Sequence, residues 1–238
     1  MKKALKITGI TLASIVGLVL IVAIIALSTV TSPKRLTKMV KKYLPEYVNF
    51  DVELERANLT LVKTFPDIGL ELDEVAILSP MEGAPSDTLA KVKKLTLSAN
   101  AKKFLKEKQI VVNRCILDDA MVNLFTDAEG HSNLDIFSSE SEEDTASKPF
   151  DYAIDLKEVK LNNATVLYTD LTQNLNAGLK GLDLDVEGNM TDQNIQAVLS
   201  LQTQNLDLKT EGLSGQLQGL QLNFDGAIKD FNDIEGRL

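Results

Sequence analysis

The chain has 238 residues, 44% of them hydrophobic, which is enough for one domain or two small ones. Residues 1–42 hold eight Lys/Arg and no acid, so the remainder carries 17 basic against 34 acidic residues; a body that negative excludes binding to a nucleic-acid backbone. Cys115 is the one cysteine, so no internal disulfide forms.

From Ile7 to Val30 no charged residue occurs. Twenty-four residues at a 1.5 Å rise exceed the roughly 30 Å hydrocarbon core, so the run reads as a tilted membrane-spanning helix. It is longer than the apolar stretch of a cleaved signal peptide. Cations flank both ends. The short basic tail of Lys2, Lys3 and Lys6 before the run resembles an export signal, so the expectation is residues 1–6 in the cytoplasm and the bulk outside.

Residues 31–45 read as an amphipathic helix. Ser32 can cap it, with Pro33 at its first position. Leu36, Met39, Val40, Tyr43 and Leu44 share one face, and Pro45 ends it. Lys34, Arg35, Lys38, Lys41 and Lys42 fill the other face. Two readings stay open: cations on anionic headgroups, or an apolar stripe packed on the following domain.

From Val48 the period changes to two. Val48, Phe50, Val52 and Leu54 point one way; Ile68, Leu70 and Leu72 repeat the pattern. So do Leu182, Leu184 and Val186, then Ile195, Ala197, Leu199 and Leu201. Such alternation predicts antiparallel strands with one apolar and one wet face, and their spacing predicts a meander. One short helix is expected near Ala101 to Lys108. The acidic stretch at residues 138–149 reads as a solvated linker that separates β regions at 46–137 and 150–238. The pattern Leu-x-x-Ala-x-Leu/Val occurs at Leu54–Ala57–Leu59, Leu117–Ala120–Val122 and Leu161–Ala164–Val166. It suggests a reused strand-bend-strand unit. The endings "LFTD" and "LYTD" stand 43 residues apart rather than 44, which predicts a β-bulge near Asn123.

Catalytic signatures are missing from the sequence. His131 lies in the turn-like "DAEGHSNLD"; Gly130 arrives too early after Asp127 for an EF-hand loop, and no Cys/His cluster suits zinc. The expectation is a non-enzyme that needs no cofactor.

Four features together resemble the AsmA family of envelope proteins. They are the span with its short basic helix; Val48 to Ile77 with Phe65-Pro66; Asp87 to Val112; and the turn Asp127-x-x-Gly130-x-x-Asn133, which here is followed by Leu134 where many members have Trp. The resemblance implies a mainly β fold: an elongated, curved antiparallel sheet forming a groove. It also implies an inner-membrane anchor, a periplasmic body and a role in outer-membrane biogenesis, with phospholipid as partner. The strand residues above, from Val48 through Leu201, are then the lipid-facing or core candidates. The alternative is an anchored periplasmic scaffold that binds envelope proteins without lipid.

Overall fold

A computed structural model describes residues 32–44, 50–60, 67–100, 103, 110–137, 152–191, 194–230 and 233–237. The expected span at 7–30, most of the helix expected at 101–108, the acidic stretch 138–149 and Val48 lie outside the described residues. Among the described residues no helix is long and apolar enough to cross a membrane.

Helix α1 (Pro33–Tyr43) starts at Pro33 as the sequence suggests, although the Ser32 side chain makes no capping bond. The chain then forms β1 (Val52–Glu53), β2 (Arg56–Thr60), β3 (Ile68–Leu78), β4 (Thr88–Ala99), β5 (Ile110–Thr126), β6 (Tyr152–Asp170), β7 (Leu175–Thr191), β8 (Asn194–Thr210), β9 (Leu213–Asp230) and β10 (Asp233–Arg237). All ten belong to one sheet in the order β1-β3-β4-β5-β6-β7-β8-β9-β10, with β2 also on β3. Among the described residues the fold is thus mainly β, with one long open sheet and one short α-helix. The strands are fewer and longer than their apolar runs suggest: β5 to β9 have 17 to 19 residues each.

The sheet is mixed, not purely antiparallel. β5 and β6 run parallel, from Ile110↔Tyr152 to Thr126↔Asp170, and every other pairing is antiparallel. Residues 127–151 between them supply the long connection that a parallel pair needs. The same pairing joins the two β regions in one sheet.

This pairing also explains the repeated sequence. Leu117 stands beside Leu161 and Val122 beside Val166, so the two copies are neighbouring parallel strands in register. The register holds from Arg114↔Glu158 to Thr126↔Asp170, so Asn123 is not an extra residue and no bulge lies there; the irregularity falls between Val112 and Arg114. Leu124 pairs with Tyr168, and the "LFTD" and "LYTD" endings are staggered by one residue.

The bend within each copy is real. Glu74 in β3, Asp119 in β5 and Asn163 in β6 have φ of 52°, 52° and 54°, in the left-handed region that L-residues seldom adopt. Register sets them nearly in line: Asp73↔Lys94 and Lys94↔Asp118, then Asp118↔Asn162. Gly181 in β7 (φ 61°) and Gly219 in β9 (φ 69°) continue the line through Gln204. Each such residue consumes one position, so the alternation slips by one. The inward set is Leu70 and Leu72, then Val75 and Ile77; in β5 it is Cys115 and Leu117, then Ala120 and Val122. The break between β1 and β2 gives Leu54, then Ala57, by the same rule. The Leu-x-x-Ala spacing is therefore the trace of a kink inside one long strand.

Helix α1 lies on the apolar face of the first strands. Leu36, Val40 and Leu44 pack with Leu54, Ala57, Leu70, Leu72, Leu95, Leu97, Val112 and Cys115. The helix is also pinned at the kink: the Ala57 N–H donates to Thr37 Oγ1 at 2.9 Å, and Thr37 Oγ1 reaches Pro33 O at 2.8 Å. The opposite face carries ion pairs across strands, including Arg56–Asp73 at 2.7 Å, Lys91–Glu74 at 2.8 Å and Lys160–Asp185 at 3.1 Å, with Glu158 of the same strand also 2.8 Å from Lys160.

Candidate functional site: an aliphatic sheet face

Four rows of apolar side chains cross the sheet from β3 to β9. One row runs Leu72, Leu95, Leu117, Leu161, Leu184, Leu201, Leu222. The next runs Leu70, Leu97, Cys115, Val159, Val186, Leu199, Phe224. Beyond the kink line lie a row from Val75 through Leu182 and Thr203 to Leu220, and one from Ile77 through Leu179 and Leu206 to Leu217. All four rows share one face because register and the common slip keep them in phase.

Burial along the face is graded. Leu72 and Leu97 are 0% and 1% exposed under α1, whereas Leu208, Leu213, Leu217 and Leu222 are 39%, 61%, 49% and 44% exposed. Between them Ala120, Ala164 and Leu182 form a second small cluster with Leu117, Leu161, Val166 and Leu201. The helix therefore covers β1 to β5; beyond it no described element lies over the face, which stays buried at Leu182 and Thr203 beside the kink line and opens to solvent at Leu208, Leu213, Leu217 and Leu222.

The residues expected on this face divide accordingly. Val52, Leu54, Leu70 and Leu72 belong to the covered end. Ile68 is buried too. Leu182 is buried in the second cluster, and Leu184, Val186, Leu199 and Leu201 are half-buried beyond the helix. Phe50 does not join the strand pattern: it precedes β1, and its ring meets Phe137 edge to face at 4.9 Å between centroids. Ile195 is in β8, but its side chain is outside the described residues, as is Val48. Sequence reasoning missed Leu117, Leu161, Leu179, Leu206 and Leu217. Their signal is the three-residue step across each kink: Leu72 to Val75, Leu117 to Ala120, Leu161 to Ala164, Leu179 to Leu182 and Leu217 to Leu220.

The turn Asp127, Gly130, Asn133 is built as a fastener. Asp127 accepts the His131 backbone N–H at 2.8 Å and faces its ring Nδ1 at 3.0 Å. Burial raises the Asp127 carboxyl, but the His131 hydrogen bonds outweigh it and hold the group below its ordinary value. Gly130 takes φ 89°. Buried Asn133 accepts the Phe125 N–H at 3.0 Å, donates to Asn123 O at 2.7 Å, and receives Ser79 Oγ on its own carbonyl at 2.8 Å. It locks the end of β5 where the crossover begins. Among the described residues no group of three or more His, Cys, Asp or Glu is placed to hold a metal ion.

The sequence model of the AsmA family matches residues 1–229 of the 238. The chain belongs to the AsmA family. No curated protein matches it. Membership points to a role related to outer-membrane biogenesis or lipid transport, and the aliphatic face is the feature of this AsmA-family chain that bears on it. Cys115 lies within the face beneath α1, where burial pushes its thiol up to about 12 and leaves it unreactive. Thr203 is the one polar side chain in the four rows; its hydroxyl is engaged by Lys180 O at 3.0 Å and Asn205 O at 3.3 Å.

Proposed function

We propose that this AsmA-family protein binds phospholipid by its acyl chains along the open part of the aliphatic face, serving outer-membrane biogenesis from an inner-membrane anchor with its body in the periplasm. The observation that carries the reading is the mismatch between the face and its cover: aliphatic rows cross seven strands from β3 to β9, while α1 buries only the first few. A surface of this kind needs an apolar occupant. Burial of each methylene is worth roughly 0.8 kcal/mol, so acyl chains are held without specific polar contacts. The aligned left-handed residues support a sheet folded along one line, a shallow groove with its oily side inward. Within the rows the Thr203 hydroxyl is already spent on backbone carbonyls, so binding follows chain length rather than headgroup.

The test is lipid extraction from the purified full chain with mass spectrometry, joined to a photoreactive amino acid in place of Leu222. Phospholipids of mixed headgroup should co-purify, and the label should crosslink to lipid. A second reading is a scaffold for envelope proteins. It draws on β10, which is paired on one side by β9 among the described residues and can take an added strand on the other. Crosslinks to protein with no lipid adduct would establish that reading and overturn the first.

A further inference from the structure

The outward side of α1 is a second surface, chemically opposite to the sheet face beneath it. Lys34, Arg35, Lys38, Lys41 and Lys42 are all exposed, while Leu36, Val40 and Leu44 are buried against the sheet. The first turn contains no acid. Packing and the Thr37–Ala57 bond fix the helix rotation, so the five cations are presented together. The rest of the chain past residue 42 has twice as many acids as bases, so this cluster stands against the charge of the whole body.

The geometry points to an anionic membrane surface as the partner of this helix face, docked by charge alone. Leu36, Val40 and Leu44 of the apolar stripe are committed to the sheet, so the helix does not insert them among acyl chains. The outward side presents a cluster of exposed ammonium and guanidinium groups complementary to phosphate headgroups. α1 begins three residues after the uncharged run that ends at Val30, which places it at the bilayer surface if that run spans. The helix sits on the aliphatic side of the sheet, so docking its outer face turns that side toward the leaflet with α1 in between. Docking does not depend on lipid carriage: a scaffold that carried no lipid would dock in the same way, and lipid extraction and the experiment below fail separately.

The experiment is amine footprinting of the full chain in nanodiscs. One disc contains phosphatidylcholine alone; the other contains equal parts phosphatidylcholine and phosphatidylglycerol. Acetic anhydride, an uncharged reagent, modifies exposed lysines, and mass spectrometry reads each site. Lys34, Lys38, Lys41 and Lys42 should label several-fold more slowly in the anionic disc, and raised salt should abolish the difference. Lys93 and Lys180, exposed in β4 and β7 away from the helix, serve as controls and should label alike in both discs. Equal labelling of the helix lysines in the two discs overturns the proposal. So does protection that is present in the neutral disc or that survives raised salt, because either would mean contact other than with headgroup charge.

Discussion

Asn163 holds φ 54° in the middle of β6, donates Nδ2 to Asp119 Oδ1 at 2.6 Å, and takes Asp183 Oδ1 on its backbone N–H at 2.7 Å. An asparagine tolerates this conformation; a β-branched residue does not, at a cost of about 1–2 kcal/mol before the lost hydrogen bond is counted. Asn163→Val should therefore lower the urea-unfolding free energy by about 2 kcal/mol, and Asn163→Gly by less than half of that. Equal losses would mean that the left-handed backbone is not what the site demands. At the end of the same strand, Asp170 accepts from Thr172 Oγ1 and N, Tyr168 Oη, and Gln173 N and Nε2. The Thr172 hydroxyl leads the groups that hold its carboxyl below the ordinary 3.8. Because the folded value is the lower one, this stabilisation is complete above the ordinary value and is lost as pH falls through the folded value. In melting curves taken from neutral to strongly acid pH, Asp170→Asn should lose less stability than the parent chain across that acid window. Parallel loss would remove Asp170 from the account.

At the scale of elements, α1 works as the lid of one end of the sheet. Leu36→Ala empties a fully buried site, and such truncations cost about 2–5 kcal/mol. Since the described packing of α1 on the body runs through its apolar face and the Thr37–Ala57 contact, the loss should appear first as undocking. Hydrogen exchange should rise in α1 and β2 while the β7 to β9 amides keep their protection; uniform loss of protection would show that the helix is part of one cooperative core. The amphipathic spacing made this helix legible from sequence, and its burial settled which of two readings its apolar stripe follows. Alternation likewise made the strands and their oily face legible. The strand lengths were not legible, because a kink breaks the period of two and makes one 17-residue strand look like two short ones. The parallel pairing was written in the sequence as similarity between Leu117–Val122 and Leu161–Val166. In sequence it reads only as a repeated unit, because repetition alone does not say that the copies touch. Asp127, Gly130 and Asn133 were visible as a turn, but Asn133 shows its clamp on Phe125 only once the strand end is folded back on it.

Across the whole molecule, one layer of sheet separates two surfaces of opposite character, and substitutions on the two should separate stability from function. Leu217 lies on the aliphatic face, 49% exposed; Met121 is exposed on the other face, opposite Lys91. A partly exposed position away from caps and networks changes stability by only about 0.5 kcal/mol when substituted. Leu217→Asp and Met121→Asp should thus melt close to the parent chain. Their lipid content should differ. An aspartate at 217 sets a charge in the path of any acyl chain lying along the Leu179–Leu206–Leu217 row, where ionisation without a partner is costly. The same residue at 121 meets water and a lysine. Phospholipid recovered by mass spectrometry from Leu217→Asp should fall several-fold, with Met121→Asp unchanged. If both variants keep the parental lipid load, the uncovered rows are not where lipid binds, and the exposed leucines of β8 and β9 await a protein instead.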